Sequence, residues 1–401
     1  MPVHNRDIVI IGLQPWHTKI GSNCKNIARE FARHNRVLYV NMPLDRRTLL
    51  KAHHNPEVQH HRRVIKRKEP AIVRISENMW NLFPPALMES VNWVPATQVF
   101  KIFNKINNLR FAACIKQAIK ELGFRDIILF NDNDIFRGYY LKELLQPAVY
   151  LYYSRDYLVA VDYWKKHGRQ LEPEHIAKAD VGVANSQYLA NRMKSYNPNS
   201  YYVGQGCDLS LFDPDKVYAK PLDLQPISGT IIGYIGALTS LRLDIPLLTE
   251  MAAARPQWQF VLVGNEDDDF RRSALHQLPN VFFTGPKPME ELPPYLQHFD
   301  LCINPQLVND LTIGNYPLKV DEYLAMGKPV LATATPTMEL FAEHVYLANG
   351  LAAYLSQAEK ALAEHNSRLA AARRQFALSH TWENSVAAIY AAIEAFEKRS
   401  P

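Results

Sequence analysis

The stretch of chain from residue 312 to residue 332 carries side chains that suit a phosphorylated nucleoside. Pro317 can occupy the first turn of a helix, and the free N–H groups and positive dipole end of such a turn attract phosphate. Lys319 adds a full positive charge at the same end. Glu322 lies one turn in, where its carboxylate can accept hydrogen bonds from two adjacent hydroxyls of a ribose. Two simpler alternatives stay open: Glu322 only complements the helix dipole, and Lys319 is a solvated surface charge.

The residues around this candidate site predict a loop, a short helix and a strand. A polar loop that contains glycine precedes Pro317, Gly327 ends the helix, and the apolar run that begins at Pro329 predicts a strand. The ends of strands are where α/β folds bind their ligands. The stretch is therefore interpreted as a ligand-facing loop that feeds a helix.

The sequence Pro-Leu-Lys-x-x-Glu-Tyr-Leu-Ala-x-Gly-Lys-Pro-Val, beginning at Pro317, resembles the donor-site signature of GT-B glycosyltransferases, especially glycosyltransferase family 4. The resemblance implies that Glu322 binds the nucleotide ribose and that the helix N-terminus holds the diphosphate. The fuller family motif has two Glu residues separated by seven positions, and Gly314 occupies the earlier position here. The chain is thus similar to a divergent subgroup, the teichuronic acid biosynthesis transferases, and more distantly to the xanthan glucuronosyltransferase family.

Length and resemblance together predict two domains. A chain of 401 residues is too long for one core and suits two α/β domains. The resemblance implies a GT-B fold, in which two Rossmann-like, doubly wound parallel-sheet domains face a cleft. The expected division is an acceptor-binding domain over 1–207, a nucleotide-sugar-binding domain over 208–378, and a C-terminal helix over 379–401 that packs back on the N-terminal domain.

Composition predicts a cytoplasmic protein without structural metal or disulfides. The four cysteines are far apart and form no CxxC pair. The first predicted strand follows Met1 too closely to leave room for a signal peptide, and no apolar run is long enough to cross a bilayer. The net charge of +5 is mild. The expected location is the cytoplasm, with peripheral attachment to the inner face of the cytoplasmic membrane as an option.

Positive charge is concentrated between Arg46 and Lys68, where eight Lys and Arg residues are opposed only by Asp45 and Glu57. One interpretation is a solvated or disordered loop. The other is attraction to an anionic membrane leaflet or to a lipid-diphosphate acceptor. The second interpretation assigns five residues to acceptor or membrane contact: Arg62, Arg63, Lys66, Arg67 and Lys68.

Residues 84–122 carry apolar side chains at helical spacing and predict one or two amphipathic helices. The apolar positions are expected to face the core. The alternative, a membrane-contacting helix, rests on Trp80, Trp93 and the neighbouring basic segment. The apolar positions are Val99, Phe100, Ile102, Phe103, Ile106, Phe111, Ile115, Ile119 and Leu122.

Three loops of the first half are candidates for chemistry. The loop before the first helix lacks the G-x-G-x-x-G spacing, which weighs against NAD binding. In GT-B proteins this loop closes over the cleft, and Gly21 and Ser22 match the place where backbone approaches the donor, although Ser22 also suits a helix N-cap. Asp132 and Asp134 are spaced like a D-x-D metal motif, but GT-B folds normally bind diphosphate without metal, so acceptor contacts or capping are expected.

Asp156 follows a predicted strand of the first half, in a position that resembles the catalytic base of the xanthan glucuronosyltransferase family. Its alternative role is to cap the next helix. In the second half, Arg242 substitutes for a cation that related enzymes place on the diphosphate. The resemblance assigns the remaining donor contacts to Gly236, Ala237, Asn265, Gly285, Pro286, Lys287, Asn304, Asn315, Pro317 and Leu318.

The sequence as a whole predicts a glycosyltransferase that moves a sugar from a nucleoside-diphosphate sugar, expected to be a UDP-sugar, to a glycan or lipid-linked acceptor in bacterial surface polysaccharide biosynthesis. No cofactor or metal is expected, because a helix N-terminus with Lys319 and Arg242 can stabilise the leaving diphosphate. The family implies retention at the anomeric carbon, whereas Asp156 as a base would imply inversion. The rivals are a nucleotide-dependent epimerase or oxidoreductase and, given the pI of about 8.8, a nucleic-acid binder.

Overall fold

The computed structural model describes residues 3–18 and 22–399 and divides the chain into two compact units. Unit 1 comprises Met1–Gln205 and Trp382–Pro401, and unit 2 comprises Gly206–Thr381. The chain returns from unit 2 to unit 1 at Trp382, where its last helix begins.

Unit 1 contains ten strands and eight helices among its described residues. In chain order they are β1 (Asp7–Ile11), α1 (Asn23–Phe31), β2 (Arg36–Val40), β3 (Leu44–Asp45), α2 (Arg46–Lys51), α3 (Pro56–Ile65), β4 (Ile72–Ser76), β5 (Met79–Leu82), β6 (Leu87–Met88), α4 (Thr97–Leu122), β7 (Ile128–Asp132), α5 (Leu141–Leu145), β8 (Val149–Ser154), α6 (Asp162–Lys178), β9 (Val181–Ala184), α7 (Gln187–Lys194) and β10 (Ser200–Tyr202), with the last helix of the chain as the eighth.

The main sheet of unit 1 has the strand order β10-β9-β8-β7-β1-β2-β5-β4. All neighbours are parallel except β4 and β5. The winding reverses between β1 and β7, which makes that place a topological switch point. Alternate residues of β1 enter two cores, Ile8 and Ile10 on one face and Val9 and Ile11 on the other.

Two predictions for the first half are wrong. The basic segment is not a disordered loop, because α2 and α3 form there with caps: Asp45 accepts the N–H of Thr48, and Asn55 accepts the N–H of Glu57. The apolar positions of α4 do not all face the core. Phe100, Phe111 and Ile115 are buried, whereas four of the other predicted positions are exposed: Val99, Ile102, Phe103 and Ile106.

Unit 2 contains six strands and six helices among its described residues, and the chain then returns to unit 1. In chain order they are β11 (Thr230–Ile235), α8 (Ile245–Ala254), β12 (Trp258–Val263), α9 (Asp268–Arg271), β13 (Val281–Gly285), α10 (Leu292–His298), β14 (Leu301–Asn304), α11 (Leu318–Ala325), β15 (Val330–Thr333), β16 (Tyr346–Ala348), α12 (Leu351–Glu364) and α13 (Ser367–Leu378), followed by α14 (Trp382–Glu397) of unit 1.

The last helix, α14, lies in unit 1 and packs on α1. Ile389 and Ile393 share a core with Phe31, and the ring of Tyr390 stacks on Phe31 with centroids 5.5 Å apart. The amide of Asn35 donates to the Tyr390 hydroxyl at 2.9 Å. The chain therefore ends in the unit in which it begins.

The sheet of unit 2 is parallel throughout, in the order β13-β12-β11-β14-β15-β16. Its winding reverses between β11 and β14. These two strands pair only at Ile232 with Leu301 and at Gly233 with Cys302, although β11 continues to Ile235 and β14 to Asn304. Their carboxyl ends therefore separate, which opens a crevice at the place where α/β sheets bind ligands.

Two separate helices follow β16, because α12 ends at Glu364 and Asn366 caps a new helix by accepting the N–H of Leu369. No helix in the part of the chain that the structure describes has both the length and the apolar character needed to cross a membrane.

Candidate active site

The crevice between β11 and β14 is held open by a side chain from α11. The buried hydroxyl of Tyr323 accepts the N–H of Ile235 at 2.8 Å and donates to its C=O at 3.1 Å. The backbone N–H and C=O of Ile235, which do not pair with β14, thus find their hydrogen-bond partner on α11. The helix that carries Lys319 and Glu322 is thereby fixed to the end of β11.

Backbone hydrogen bonds join the loop after β11 to the end of β12 and the loop that follows it, and join that loop to the end of β13. The N–H of Gly236 donates to Val263 at 2.9 Å, and the N–H of Leu238 donates to the C=O of Asn265 at 2.8 Å. The N–H of Gly264 donates to the C=O of Gly285 at 3.0 Å. Three of the predicted donor-contact positions, Gly236, Asn265 and Gly285, therefore lie along one edge of the sheet.

Gly236 and Lys319 are neighbours across the crevice. Gly236 has a φ of 144°, and a Cβ there would lie 2.7 Å from the Lys319 ammonium. Glycine at this position therefore lets the ammonium approach the strand end, and a larger residue would displace it. The ammonium donates to the hydroxyl of Tyr234 and lies 4.2 Å from its ring centroid. The interpretation of Lys319 as a solvated surface charge is therefore wrong.

The N-terminus of α11 has no side-chain cap. Pro317 occupies the N-cap position and Leu318 is the first helical residue. The first backbone bond of the turn is that of the Val320 N–H to the C=O of Pro317 at 2.9 Å. Asn315, partly buried in the loop before it, donates its N–H to the C=O of Thr312 at 3.0 Å. The N–H groups at the start of the helix are thus available to an anion.

Asn304, at the end of β14, has a buried and unsatisfied side chain. Neither its amide nitrogen nor its carbonyl oxygen has a hydrogen-bond partner among the described residues, and the residue is fully buried. Buried polar groups without partners are rare because each costs free energy. The Asn304 amide is therefore a candidate for binding a polar ligand.

Glu322 is half-buried, and its carboxylate makes no hydrogen bond or ion pair with the residues that the structure describes. Burial raises the pKa of Glu322 to about 7; the charge of Lys319 acts in the opposite direction, and that of Asp321 adds to the rise. A carboxylate held without partners in this position can accept hydrogen bonds from a ligand.

Asp321, the neighbour of Glu322, connects α11 to a distant part of the chain. Buried Asp321 accepts hydrogen bonds from the hydroxyl of Tyr316 at 2.8 Å and from Nδ1 of His380 at 2.7 Å. Burial raises the pKa of Asp321, and His380 and Tyr316 offset part of that rise. These contacts anchor α11 to the segment that follows α13, and no local sequence motif links His380 to Asp321.

Of the two cations Arg242 and Lys287, only Lys287 forms an ion pair among the described residues. The Arg242 guanidinium is partly buried and has no ion pair among the described residues, while its C=O accepts the N–H of Leu307 at 2.9 Å, which ties its loop to the loop after β14. Lys287 instead pairs with Asp223 at 2.8 Å, and its pKa is raised by hydrogen bonds to Asp223 and Tyr295. The positive charge of Lys287 is therefore neutralised by Asp223 within unit 2. Ala237 and Pro286 are exposed beside these loops.

In unit 1, Arg155 connects the two acidic candidates. Its Nε donates to buried Asp132 at 2.9 Å, and its Nη1 lies 3.3 Å from the carboxylate of Asp156. The C=O of Asp156 accepts the Asn133 amide at 2.9 Å. Asp156 thus follows β8 at the carboxyl edge of the sheet, as predicted.

Asp134 caps a turn, one of the two roles expected for it. It accepts the N–H groups of Phe136 at 3.2 Å and Arg137 at 2.9 Å and pairs with the Arg137 side chain. Within residues 3–18 and 22–399, no three His, Cys, Asp or Glu side chains come together as a metal site.

The other predicted positions of unit 1 divide into three groups. Gly21 lies outside the described residues. Ser22 is the N-cap of α1, where its hydroxyl accepts the N–H of Lys25 at 3.3 Å. Arg63 pairs with Glu69, whereas the other four basic positions are exposed and have no ion pair in the described part of the chain: Arg62, Lys66, Arg67 and Lys68.

Part of unit 2 matches a known protein family. Residues 229–372 match the family described as "Glycosyl transferases group 1". The chain is 30% identical over 192 residues to the Bacillus subtilis (strain 168) protein named "Putative teichuronic acid biosynthesis glycosyltransferase TuaH". That match covers 46% of this chain, and the chain spans only 48% of that relative's length.

Solved structures match over nearly the whole chain. Sucrose-phosphate synthase from Thermosynechococcus elongatus superimposes with a TM-score of 0.65 at 16% identity, covering 99% of this chain and 100% of that one. Anabaena HepE in complex with UDP gives a TM-score of 0.64 at 15% identity, covering 98% and 100%. The chain therefore carries a glycosyl transferases group 1 domain over residues 229–372, in a protein with the fold of GT-B glycosyltransferases.

Proposed function

We propose that this protein is a glycosyltransferase that takes a sugar from a nucleoside-diphosphate sugar, a UDP-sugar, and transfers it to a glycan or lipid-linked acceptor in bacterial surface polysaccharide biosynthesis. The observation that carries the proposal is the close approach of the Lys319 ammonium to Gly236 at the switch point of unit 2. A cation, an uncapped helix N-terminus and a glycine strand end form a phosphate-binding arrangement.

The diphosphate would lie at the start of α11. Negative charge develops on it as the bond to the sugar breaks, and donors already in position stabilise that charge most effectively. Lys319 and the first N–H groups of α11 supply part of this field, and Arg242 adds a cation that no acidic residue of the described chain neutralises. These groups do the work without a metal ion.

The nucleoside would be held by Glu322 and the edge formed by Asn265 and Gly285. A partly buried carboxylate without internal partners suits the two hydroxyls of a ribose. The assignment of uridine is supported by the likeness of the fold to HepE, whose structure is a complex with UDP. Asn304, with both polar atoms unsatisfied, would then bind a polar group of the donor.

Unit 1 would bind the acceptor. Asp156 is the proposed base, and a base that deprotonates the attacking hydroxyl would lead to inversion at the anomeric carbon. The exposed cations Arg62, Lys66, Arg67 and Lys68 would attract an anionic membrane or the diphosphate of a lipid-linked acceptor. The relative TuaH, named for teichuronic acid biosynthesis, supports an acceptor of this class.

Nucleotide binding tests the proposal most directly, because a ligand that binds only the native state raises its apparent stability. UDP should raise the melting temperature of the wild type more than ADP does. Glu322→Ala should weaken UDP binding by roughly 1.5–3 kcal/mol, the range for hydrogen bonds to a charged group. Glu250→Ala, an exposed position on α8, serves as the matched control and should bind UDP like the wild type. An unchanged affinity in folded Glu322→Ala would remove Glu322 from the site.

A further inference from the structure

The first half of α4 in unit 1 turns its apolar side outward. Five large apolar residues recur at helical spacing, and their exposed fractions range from 41% to 64%. We refer to them as the α4 apolar face: Val99, Ile102, Phe103, Ile106 and Leu109. A surface helix normally shows the opposite arrangement, with its apolar stripe on the core.

Buried asparagines lock the helix in this rotation. The amides of Asn104 and Asn108 both donate to the C=O of Phe136, at 2.8 and 3.1 Å. Asn107 accepts the N–H of Glu89 at 2.9 Å and donates to its C=O at 2.9 Å. Turning the α4 apolar face inward would break these bonds and leave the amides unpaired. The exposure is therefore built into the packing of unit 1.

Positive charge predominates on α4, whose one acidic residue, Glu121, lies at the C-terminal end of the helix. No acidic residue occurs between Thr97 and Lys120, while the helix carries Lys101, Lys105, Arg110, Lys116 and Lys120. Lys101 pairs with Glu174, and Arg110 pairs with Glu89. The other three are exposed and have no ion pair in the described part of the chain. The apolar face thus lies on a helix with unneutralised positive charge.

Aromatic residues and a cavity adjoin this helix. Trp93, a few residues before α4, is 76% exposed, and its C=O accepts a hydrogen bond from Lys166 at 2.9 Å. A cavity of about 310 Å³ beside the inner side of α4 is lined by aromatic side chains and by charges of both signs: Trp93, Tyr163, Arg47, Arg137, Asp45 and Glu89. Exposed tryptophan beside an apolar surface is typical of residues at a membrane interface.

We propose that unit 1 docks on the surface of an anionic lipid bilayer through the α4 apolar face, and that the acceptor is a lipid-linked glycan taken from that membrane. An apolar stripe on a stretch of helix, Thr97–Lys120, that carries cations and no acids matches acyl chains beneath anionic headgroups. A second copy of the chain fits less well, because the same cations would oppose each other. The nature of the acceptor rests on the proposed function.

Cosedimentation with vesicles tests the docking surface. The variant combines Ile102→Gln, Phe103→Gln and Ile106→Gln, since glutamine retains helix propensity while removing the apolar surface. The control combines Val217→Gln, Leu222→Gln and Leu378→Gln, which remove apolar side chains that are 91%, 82% and 50% exposed in unit 2. Vesicles of phosphatidylcholine with phosphatidylglycerol are compared with vesicles of phosphatidylcholine alone.

Wild type and control should bind the phosphatidylglycerol vesicles, and the α4 variant should bind them about tenfold more weakly or not at all. Equal binding by variant and wild type, or no binding by wild type, would overturn the proposal. So would self-association of the wild type, without vesicles, that the α4 variant abolishes. Stabilisation by UDP is measured in parallel and should be the same in all three proteins. If UDP does not stabilise the wild type, the proposed glycosyltransferase function is contradicted. The vesicle result would still decide whether the α4 apolar face is a docking surface.

Discussion

Tyr323 and Ile235 are joined by two hydrogen bonds, although they are 88 positions apart in the chain. The Tyr323 hydroxyl accepts the Ile235 N–H and donates to its C=O, so one side chain satisfies both backbone groups of a strand residue. This arrangement lets β11 end beside a crevice instead of beside a paired strand. It also fixes the position of α11, which carries the proposed donor-binding residues.

Tyr323→Phe should destabilise the protein by about 1–3 kcal/mol, because it leaves a buried N–H and a buried C=O without partners. Urea unfolding measures the change. Tyr196→Phe, at a residue that is 41% exposed, is the matched control and should be close to neutral. If both variants unfold at the same urea concentration as the wild type, the Tyr323 bonds contribute nothing to stability.

Local signals allowed the surroundings of Lys319 to be predicted. Pro317, Gly327 and the apolar run after it define α11 and β15 within one residue of their observed limits. The rest of the site depends on distant contacts. Tyr234 lies under the Lys319 ammonium, and His380 reaches Asp321 from the far end of unit 2. Nothing in the sequence around these residues indicates their partners.

The misinterpretation of α4 has a physical cause. Apolar residues at helical spacing predict an apolar side, but the pattern does not say what covers it. The rotation of α4 is set by Asn104 and Asn108, which bond to the C=O of Phe136 about 30 positions away. In the basic segment, by contrast, Asp45 and Asn55 are residue types that favour helix N-caps, so the sequence contains a local signal for α2 and α3. The run of positive charges favoured the interpretation as a loop.

Glu322 should make the stability of the protein depend on pH. Burial raises its pKa from 4.5 to about 7, so the carboxyl favours the folded state while it is protonated. Its contribution is complete below the ordinary pKa of 4.5 and is lost as the pH rises through about 7. The free energy of unfolding of the wild type should therefore fall more over this range than that of Glu322→Gln, which stays neutral.

Urea unfolding over a pH series measures this difference. Buried Asp321, the ionisable neighbour of Glu322, is present in both proteins, so its contribution cancels in the comparison. Glu250→Gln, on the exposed side of α8, should follow the wild-type profile. Parallel profiles for Glu322→Gln and the wild type would mean that Glu322 titrates as it does in water.

Turnover should persist without a divalent metal, because Lys319, Arg242 and the start of α11 provide the positive field for the leaving diphosphate. Sugar transfer is assayed before and after exhaustive treatment with EDTA. Activity that disappears with the chelator and returns with Mn²⁺ would contradict the prediction. Asp132 and Asp134 would then have to be reconsidered as ligands, despite their present contacts with Arg155 and Arg137.

The end of α3 offers a second, electrostatic contribution to membrane binding. Neutralising Arg62, Lys66, Arg67 and Lys68 together should weaken binding to phosphatidylglycerol vesicles by roughly 1 kcal/mol for each residue that approaches the surface. Arg63→Gln is the matched control and should change binding little, because Arg63 is already paired with Glu69. UDP stabilisation should be unchanged in both variants.

Salt separates the basic end of α3 from the α4 apolar face. Exposed charges are screened beyond about 10 Å at 0.1 M salt, whereas contact between apolar side chains and acyl chains is not. Removing the four cations should therefore flatten the salt dependence of vesicle binding. The Ile102, Phe103 and Ile106 variant should instead lower binding at every salt concentration. If the four-cation variant keeps the wild-type salt dependence, the basic end of α3 is a solvated surface, and any docking rests on α4 alone.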